Sequence, residues 1–174
     1  MKHLKPYKVF EQQSKNNLDI IYYLNKYLIK NYTINEDGTI DVNGDVDLGV
    51  YDLDKIPFKF GIVTGYFDCS HNILTSLVGC PREVGGDFYC LDNRLTNLIG
   101  GPQEVGRDYR CDDNRLESLE GCAGDIGSTF NCSMNKLEML DCSSVINGDI
   151  KCRYNKFKEE PEFFGVCGGK IIWK

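Results

Sequence analysis

The sequence predicts an α/β solenoid, in which one short motif is repeated through successive turns of the chain. Two observations predict this fold. A nine-residue phrase with an aromatic residue, a cysteine, an asparagine and a leucine recurs about every 21 residues, and the stretches between its copies are too short for long helices. We therefore expect an N-terminal helical cap at residues 1–41, about six solenoid turns at 42–160 and a C-terminal cap at 161–174.

The repeated phrase accounts for the predicted core. Alternate side chains of a strand point to the same side, so the aromatic residue and the cysteine two positions later both face inward. Leucines two and five positions after the asparagine face inward again. The predicted buried rows are Phe67, Phe88, Tyr109, Phe130 and Ile150; Cys69, Cys90, Cys111, Cys132 and Cys152; Leu74, Leu95, Leu116, Leu137 and Phe157; and Leu77, Leu98, Leu119 and Leu140.

The asparagine of each copy follows the strand, where the chain turns and leaves backbone groups without partners. Its side-chain amide can satisfy those groups, and stacking of the turns places the amides one above another. We expect a ladder of Asn72, Asn93, Asn114, Asn135 and Asn155.

This pattern resembles the leucine-rich-repeat consensus L-x-L-x-x-N-x-L, with an aromatic residue and a cysteine replacing two leucines. The 21-residue step and the Pro-x-x-Val linkers at 81–84 and 102–105 resemble the short bacterial class of these repeats. The phrase at 84–90 is similar to the Cys-containing repeats of tailed phages and bacteria. The resemblance covers about residues 42–160 and implies parallel strands on a concave face. The few residues left for each return predict a mostly irregular or 3-10 convex side.

Two caps are expected to cover the ends of the solenoid. Apolar side chains at helical spacing predict a helix over residues 14–32, with Ser14 as its N-cap. A membrane-surface helix is the alternative for this lysine-bearing segment. The predicted apolar face of the helix comprises Leu18, Ile21, Tyr22, Leu28, Ile29 and Tyr32. At the other end, six apolar residues are expected to close the last turn, either as a final strand or without one: Phe163, Phe164, Val166, Ile171, Ile172 and Trp173.

Nine cysteines raise the question of disulfides or a metal site. Five form the predicted inward row, where a free cysteine behaves as a small apolar side chain. The sequence holds no C-x-x-C pair and only two histidines, His3 and His71, so we predict reduced thiols, no structural zinc and no cofactor. Asp92, Asp112 and Asp113 could supply calcium ligands, but they lack the Asp-x-Asp-x-Asp-Gly spacing.

Charge is unevenly distributed along the chain, whose net charge is −6. Residues 33–125 carry 18 acidic and 7 basic side chains, a net charge of −11. This argues against direct nucleic-acid binding and favours a partner with a basic surface, although a merely solvated acidic face is the alternative. The candidate partner-binding residues, expected on the concave face, are Tyr66, Asp68, Asp87, Tyr89, Asp92, Asp108, Arg110, Asp112, Asp113, Asn131, Lys151, Arg153 and Tyr154.

These features predict a protein-interaction scaffold that binds a protein partner on its acidic and aromatic concave face. The charged N-terminus, without a following apolar stretch, favours a cytoplasmic location and no membrane contact. The phage resemblance implies a modulator or inhibitor of a host or defence protein. A DNA mimic and a structural assembly component are the alternatives. No nucleophile–base pair or phosphate-binding loop is recognisable, so we expect no enzyme activity.

Overall fold

The computed structural model describes residues 18–174, which form a parallel-strand β-solenoid of about six turns with one short helix, α1, at 18–26. Each turn contributes two short strands. In chain order the strands are β1 (Tyr32–Ile34), β2 (Ile40–Val42), β3 (Val46–Asp47), β4 (Phe60–Val63), β5 (Phe67–Asp68), β6 (Glu83–Val84), β7 (Phe88–Tyr89), β8 (Glu104–Val105), β9 (Tyr109–Arg110), β10 (Asp125–Ile126), β11 (Phe130–Asn131), β12 (Val145–Ile146), β13 (Ile150–Lys151), β14 (Val166–Cys167) and β15 (Ile171–Ile172).

The strands form two sheets that run along the solenoid. Sheet A has the order β1, β2, β4, β6, β8, β10, β12, β14, and sheet B has the order β3, β5, β7, β9, β11, β13, β15. Neighbours pair in parallel, except for the antiparallel pair β1 and β2. Equivalent residues of successive turns are partners, as Phe67 is of Phe88 and Phe88 is of Tyr109. The predicted repeat register is therefore confirmed.

Sheet A is a second sheet that the sequence did not predict, whereas the rest of each return, such as 90–103, is irregular as predicted. The Pro-x-x-Val linkers form β6 and β8, with Val84 and Val105 each 2% exposed and facing the core. Because the linkers stack in register, the Gly106 N–H donates to the Val84 carbonyl at 2.8 Å, and their backbone groups satisfy one another as a sheet. No residue of 18–174 is in a 3-10 helix, and α1 is the only helix in that range. The α/β assignment is therefore not supported.

The predicted buried rows form the core. The aromatic and cysteine rows are completely buried, and the ring centroids lie 5.8 Å (Phe67–Phe88), 4.9 Å (Phe88–Tyr109) and 5.5 Å (Tyr109–Phe130) apart. The leucine rows are also buried, and only Phe157 departs from the prediction by being partly buried. All nine cysteines are free. Burial of one large apolar side chain from each turn is the main stabilising contribution of such a stack.

The asparagine ladder is confirmed. The amide of Asn114 donates to the carbonyls of Cys90 at 3.0 Å and Cys111 at 3.2 Å, while its Oδ1 accepts the Leu95 N–H at 3.0 Å. Asn93 and the other ladder asparagines repeat these bonds one turn apart. Each amide thus bridges its own turn to the preceding one.

The N-terminal cap differs from the prediction in its length and in its buried face. Within the described residues the helix ends at 26 instead of 32, and Leu28 has a positive φ of 56°. The face that packs on the core contains Ile20, Leu24 and Tyr27, spaced four and three residues apart. Ile29 of the predicted face is buried, whereas Leu18, Ile21, Tyr22 and Leu28 are exposed. Tyr32 belongs to β1. The predicted N-cap, Ser14, lies outside the described residues.

The C-terminal segment continues both sheets through β14 and β15. Of its predicted apolar residues, Phe163, Ile171 and Trp173 pack against the core, but Phe164 and Val166 are exposed. A membrane-crossing helix is absent from residues 18–174, where no helix combines the required length and apolarity.

Candidate partner-binding face

The outward side of sheet B, predicted as the concave face, carries the candidate contact residues. One row consists of outward strand positions in register, and its members are Asp47, Asp68, Tyr89, Arg110, Asn131 and Lys151. Because adjacent parallel strands are about 4.8 Å apart, side chains of neighbouring turns in this row lie side by side. The topology therefore brings residues far apart in sequence onto one surface.

A row of aspartates directly before the sheet B strands stabilises the fold. The Oδ1 atom of each accepts a backbone N–H of the next turn: Asp45 from Tyr66 (3.0 Å), Asp87 from Asp108 (3.0 Å), Asp108 from Thr129 (2.9 Å) and Asp149 from Lys170 (2.8 Å). From the sequence, Asp87 and Asp108 were predicted only as surface contacts for a partner. Their shared position before the strand was the signal that could have revealed this second ladder.

Asp112 is not the exposed carboxylate that its place in the sequence suggested. It is only 8% exposed, and Arg110 of the same turn binds it through two hydrogen bonds, from Nε to Oδ1 at 3.0 Å and from Nη2 to Oδ2 at 2.8 Å. The hydrogen bond to Asp112 raises the pKa of Arg110. This pairing neutralises both groups locally, so Asp112 contributes little free negative charge to the face.

Three further predicted residues interact within the face. Asp68 and Asn131 use Oδ1 to accept the N–H two positions later, at 2.8 Å from Ser70 and at 3.2 Å from Ser133. Burial, followed by hydrogen bonding to Asp87, raises the pKa of the Tyr89 phenol. These half-buried side chains are held in place by their neighbours and present a preorganised surface.

A second row, which we call the left-handed ridge, runs beside the sheet B strands. It consists of Val50, His71, Asp92, Asp113, Met134 and Tyr154, whose φ angles lie between 49° and 59°. In five of the six turns the ridge residue directly precedes the ladder asparagine. Hydrogen bonding by that asparagine fixes the turn, and the side chain before it is directed away from the core, so all six are exposed.

The left-handed ridge combines polar and apolar side chains. His71 Nδ1 and Asp92 Oδ2 are 2.8 Å apart across neighbouring turns. Val50 is 76% exposed and Tyr154 is 78% exposed. Val50 was not predicted from the sequence, because its turn lacks the asparagine that marks the position.

Charge along the face changes sign towards the C-terminus. Lys151, Arg153 and Tyr154, predicted as contacts in the fifth copy, are exposed, and the Arg153 Nε donates to the Lys174 carbonyl at 2.7 Å. The earlier turns present Asp47 and Asp68 at the strand position that Lys151 occupies. The acidic part of the face therefore lies in its N-terminal and central turns.

The chemistry available outside this face is limited. No group of three His, Cys, Asp or Glu residues in the range 18–174 is arranged to hold a metal ion. Hydrogen bonding from Cys122 and Ser144 outweighs burial and lowers the pKa of the Cys142 thiol to about 7. Asp141, the residue before this half-buried thiol, accepts hydrogen bonds from the Ser118 hydroxyl and the Leu119 N–H.

No protein-family model matches the chain, and no curated protein or solved structure is significantly similar to it. The resemblance to leucine-rich-repeat proteins therefore stays a prediction.

Proposed function

We propose that the protein is an interaction module whose left-handed ridge, together with the outward side of sheet B, binds a partner protein with a basic surface. The observation that carries this proposal is the exposure of large side chains on strained backbone. Val50, Met134 and Tyr154 are 76%, 50% and 78% exposed at positive φ, a conformation that glycine adopts at lower cost. Strained positions of this kind cluster at functional sites, and side chains unused in packing are available for contact.

The remaining ridge residues supply charge. Asp92 and Asp113 are exposed on neighbouring turns, and aspartate tolerates positive φ better than most residues. With Asp47 and Asp68 on the adjacent strand row, they make this part of the face acidic. A basic partner would gain both electrostatic steering and an aromatic contact from Tyr154.

Capture of the partner tests this proposal. The immobilised protein is exposed to lysate of the cells that express it, and bound proteins are identified by mass spectrometry. A ridge variant, Asp92→Asn with Asp113→Asn, removes two charges and keeps residues suited to positive φ. Its matched control, Glu83→Gln with Glu104→Gln, removes two charges from sheet A, where these residues are paired in register.

We expect one basic protein to be retained by the wild type and by the sheet A control, and to be depleted with the ridge variant. Equal retention by all three baits, or loss with the sheet A control alone, would overturn the proposal. Displacement of the captured protein by duplex DNA would instead support the DNA-mimic alternative.

A further inference from the structure

A small cavity lies at the N-terminal end of the sheet B face, where the segment after α1 meets the first turns. Its volume is about 220 Å³, and its lining residues are Tyr27, Leu28, Ile29, Asp45, Asp47, Tyr51 and Tyr66. This volume suits one side chain better than a drug-sized ligand, whose pockets are usually larger. We call it the tyrosine–aspartate cup.

Aromatic rings form the walls of the cup. The rings of Tyr27 and Tyr51 are nearly perpendicular, at 79°, with centroids 4.9 Å apart. Tyr27 is 6% exposed and therefore fixed, whereas Tyr51 is 44% exposed. Aromatic faces attract cations, and the Lys26 Nζ lies 5.2 Å from the Tyr27 centroid although Lys26 does not line the cup.

The carboxylates of the cup are held by backbone groups. Asp45 Oδ1 accepts the Tyr66 N–H at 3.0 Å, and Asp47 Oδ1 accepts the Gly49 N–H at 2.9 Å. Within residues 18–174, no lysine or arginine forms an ion pair with either aspartate. Burial, and then the charges of Asp47, Asp45 and Asp68, raise the pKa of the Tyr66 phenol.

We propose that the tyrosine–aspartate cup binds the ammonium group of a lysine side chain of the partner protein. The assignment of this lysine to a partner rests on the proposed function. An ammonium is compact and carries three donors, so it can hydrogen-bond to carboxylates while its methylene groups lie against rings. The cup thus combines both kinds of contact that a lysine side chain can use.

Titration of the whole chain with n-butylammonium, followed by NMR of the tyrosine rings, tests the proposal without a partner. We expect saturable shifts at Tyr51 and Tyr66, weakened by added salt, and little effect from uncharged 1-butanol. The variant Asp45→Asn with Asp47→Asn keeps both side-chain oxygens that accept backbone N–H groups, and it should weaken n-butylammonium binding about tenfold, the effect of about 1.4 kcal/mol. Asp149 belongs to the same aspartate row, at the opposite end of the solenoid, and accepts the Lys170 N–H. Asp149→Asn should therefore leave n-butylammonium binding unchanged.

Stronger binding of n-propylguanidinium or tetramethylammonium than of n-butylammonium would contradict a lysine-specific cup. Equal response to 1-butanol, or an unchanged affinity in Asp45→Asn with Asp47→Asn, would overturn the proposal. Failure here is distinguishable from failure of the proposed function. If the cup does not bind n-butylammonium but the ridge variant still loses the partner, only the cup is wrong. If the cup binds n-butylammonium but no ridge-dependent partner is captured, the proposed function is wrong.

Discussion

The hydroxyl of Tyr109 occupies space made available by Gly101, since a Cβ built on Gly101 would lie 3.2 Å from Tyr109 Oη. Gly101 stands where the neighbouring turns have Cys80 and Cys122, and Tyr109 is the member of the ring stack that carries a hydroxyl. Burial raises the Tyr109 pKa well above its usual value. Among the described residues, this hydroxyl is the one buried side-chain polar atom without a hydrogen-bond partner.

Tyr109→Phe should therefore maintain or raise the free energy of unfolding, since an unpaired buried hydroxyl costs about 1–3 kcal/mol. Gly101→Ala should lower it by about 1–3 kcal/mol, because the added Cβ would lie 3.0 Å from Leu77 Cδ1 and from the Leu98 carbonyl. Urea unfolding measures both effects. If Tyr109→Phe lowers the free energy of unfolding by more than about 1 kcal/mol, then the Tyr109 hydroxyl has a hydrogen-bond partner in the native protein.

The asparagine ladder should contribute strongly to stability. Asn114→Ala removes the bond donated to Cys90 and the bond accepted from Leu95, which both reach the preceding turn, and the bond donated to Cys111 of its own turn. The loss should be about 1–3 kcal/mol or more. Arg115→Ala, at the exposed next position, is the matched control and should change stability by less than about 0.5 kcal/mol. Thermal unfolding of the two variants gives the comparison, and equal melting temperatures would contradict the ladder's role.

The thiols should differ sharply in reactivity in the native protein. The five cysteines of the buried row are 0% exposed and should react slowly. Cys142 is half-buried with a pKa of about 7, so its reaction with a disulfide reagent should accelerate as pH rises through 7 and level off above it. Cys122→Ala removes the hydrogen bond that contributes most to this lowered pKa, and should shift the reaction profile to higher pH.

Mass spectrometry of the labelled protein identifies the site of modification. Rapid native labelling of several buried-row cysteines would contradict the described packing. An unchanged pH profile in Cys122→Ala would show that this hydrogen bond does not control the Cys142 thiol.

The left-handed ridge should carry a measurable conformational cost. Val50 is β-branched, 76% exposed and at a φ of 59°, so Val50→Gly should raise the free energy of unfolding by roughly 0.5–1 kcal/mol. Val166→Gly, at an exposed position in strand β14, should lower it. Chemical denaturation of both variants tests whether the two changes in the free energy of unfolding have opposite signs. A lower free energy of unfolding in Val50→Gly would mean that the Val50 side chain stabilises the fold.

The repeat made the core predictable from sequence, because the same residue type returns to each inward position. The ring and cysteine rows therefore follow from alternation along a strand, and the asparagine ladder follows from the unpaired backbone of each turn. Sheet A was not predicted because a strand such as Glu83–Val84 has one inward residue and shows no alternation, whereas each sheet B segment has two, such as Phe88 and Cys90. The pairing of the sheet A strands depends on the stacking of whole turns.

The functional surface was predictable only in outline. The burial of Asp112 depends on the side-chain conformation of Arg110. The repeat does not predict this burial, because the equivalent position is occupied by different residues in other turns: Ser70, Leu91, Ser133 and Arg153. The second ladder was missed because aspartate is common on exposed surfaces as well. The helical face was assigned wrongly because Ile20, Leu24 and Tyr27 repeat at helical spacing as well as Leu18, Ile21 and Tyr22 do. Periodicity alone does not show which of the two sets packs on the core.

Association kinetics with the purified partner over a range of salt concentrations measure whether the left-handed ridge binds a basic protein. We expect Asp92→Asn with Asp113→Asn to slow association several-fold at low salt and to flatten its salt dependence. Glu83→Gln with Glu104→Gln should match the wild type. A ridge variant with wild-type association rates at every salt concentration, alongside a slowed sheet A control, would show that the ridge is not the binding surface.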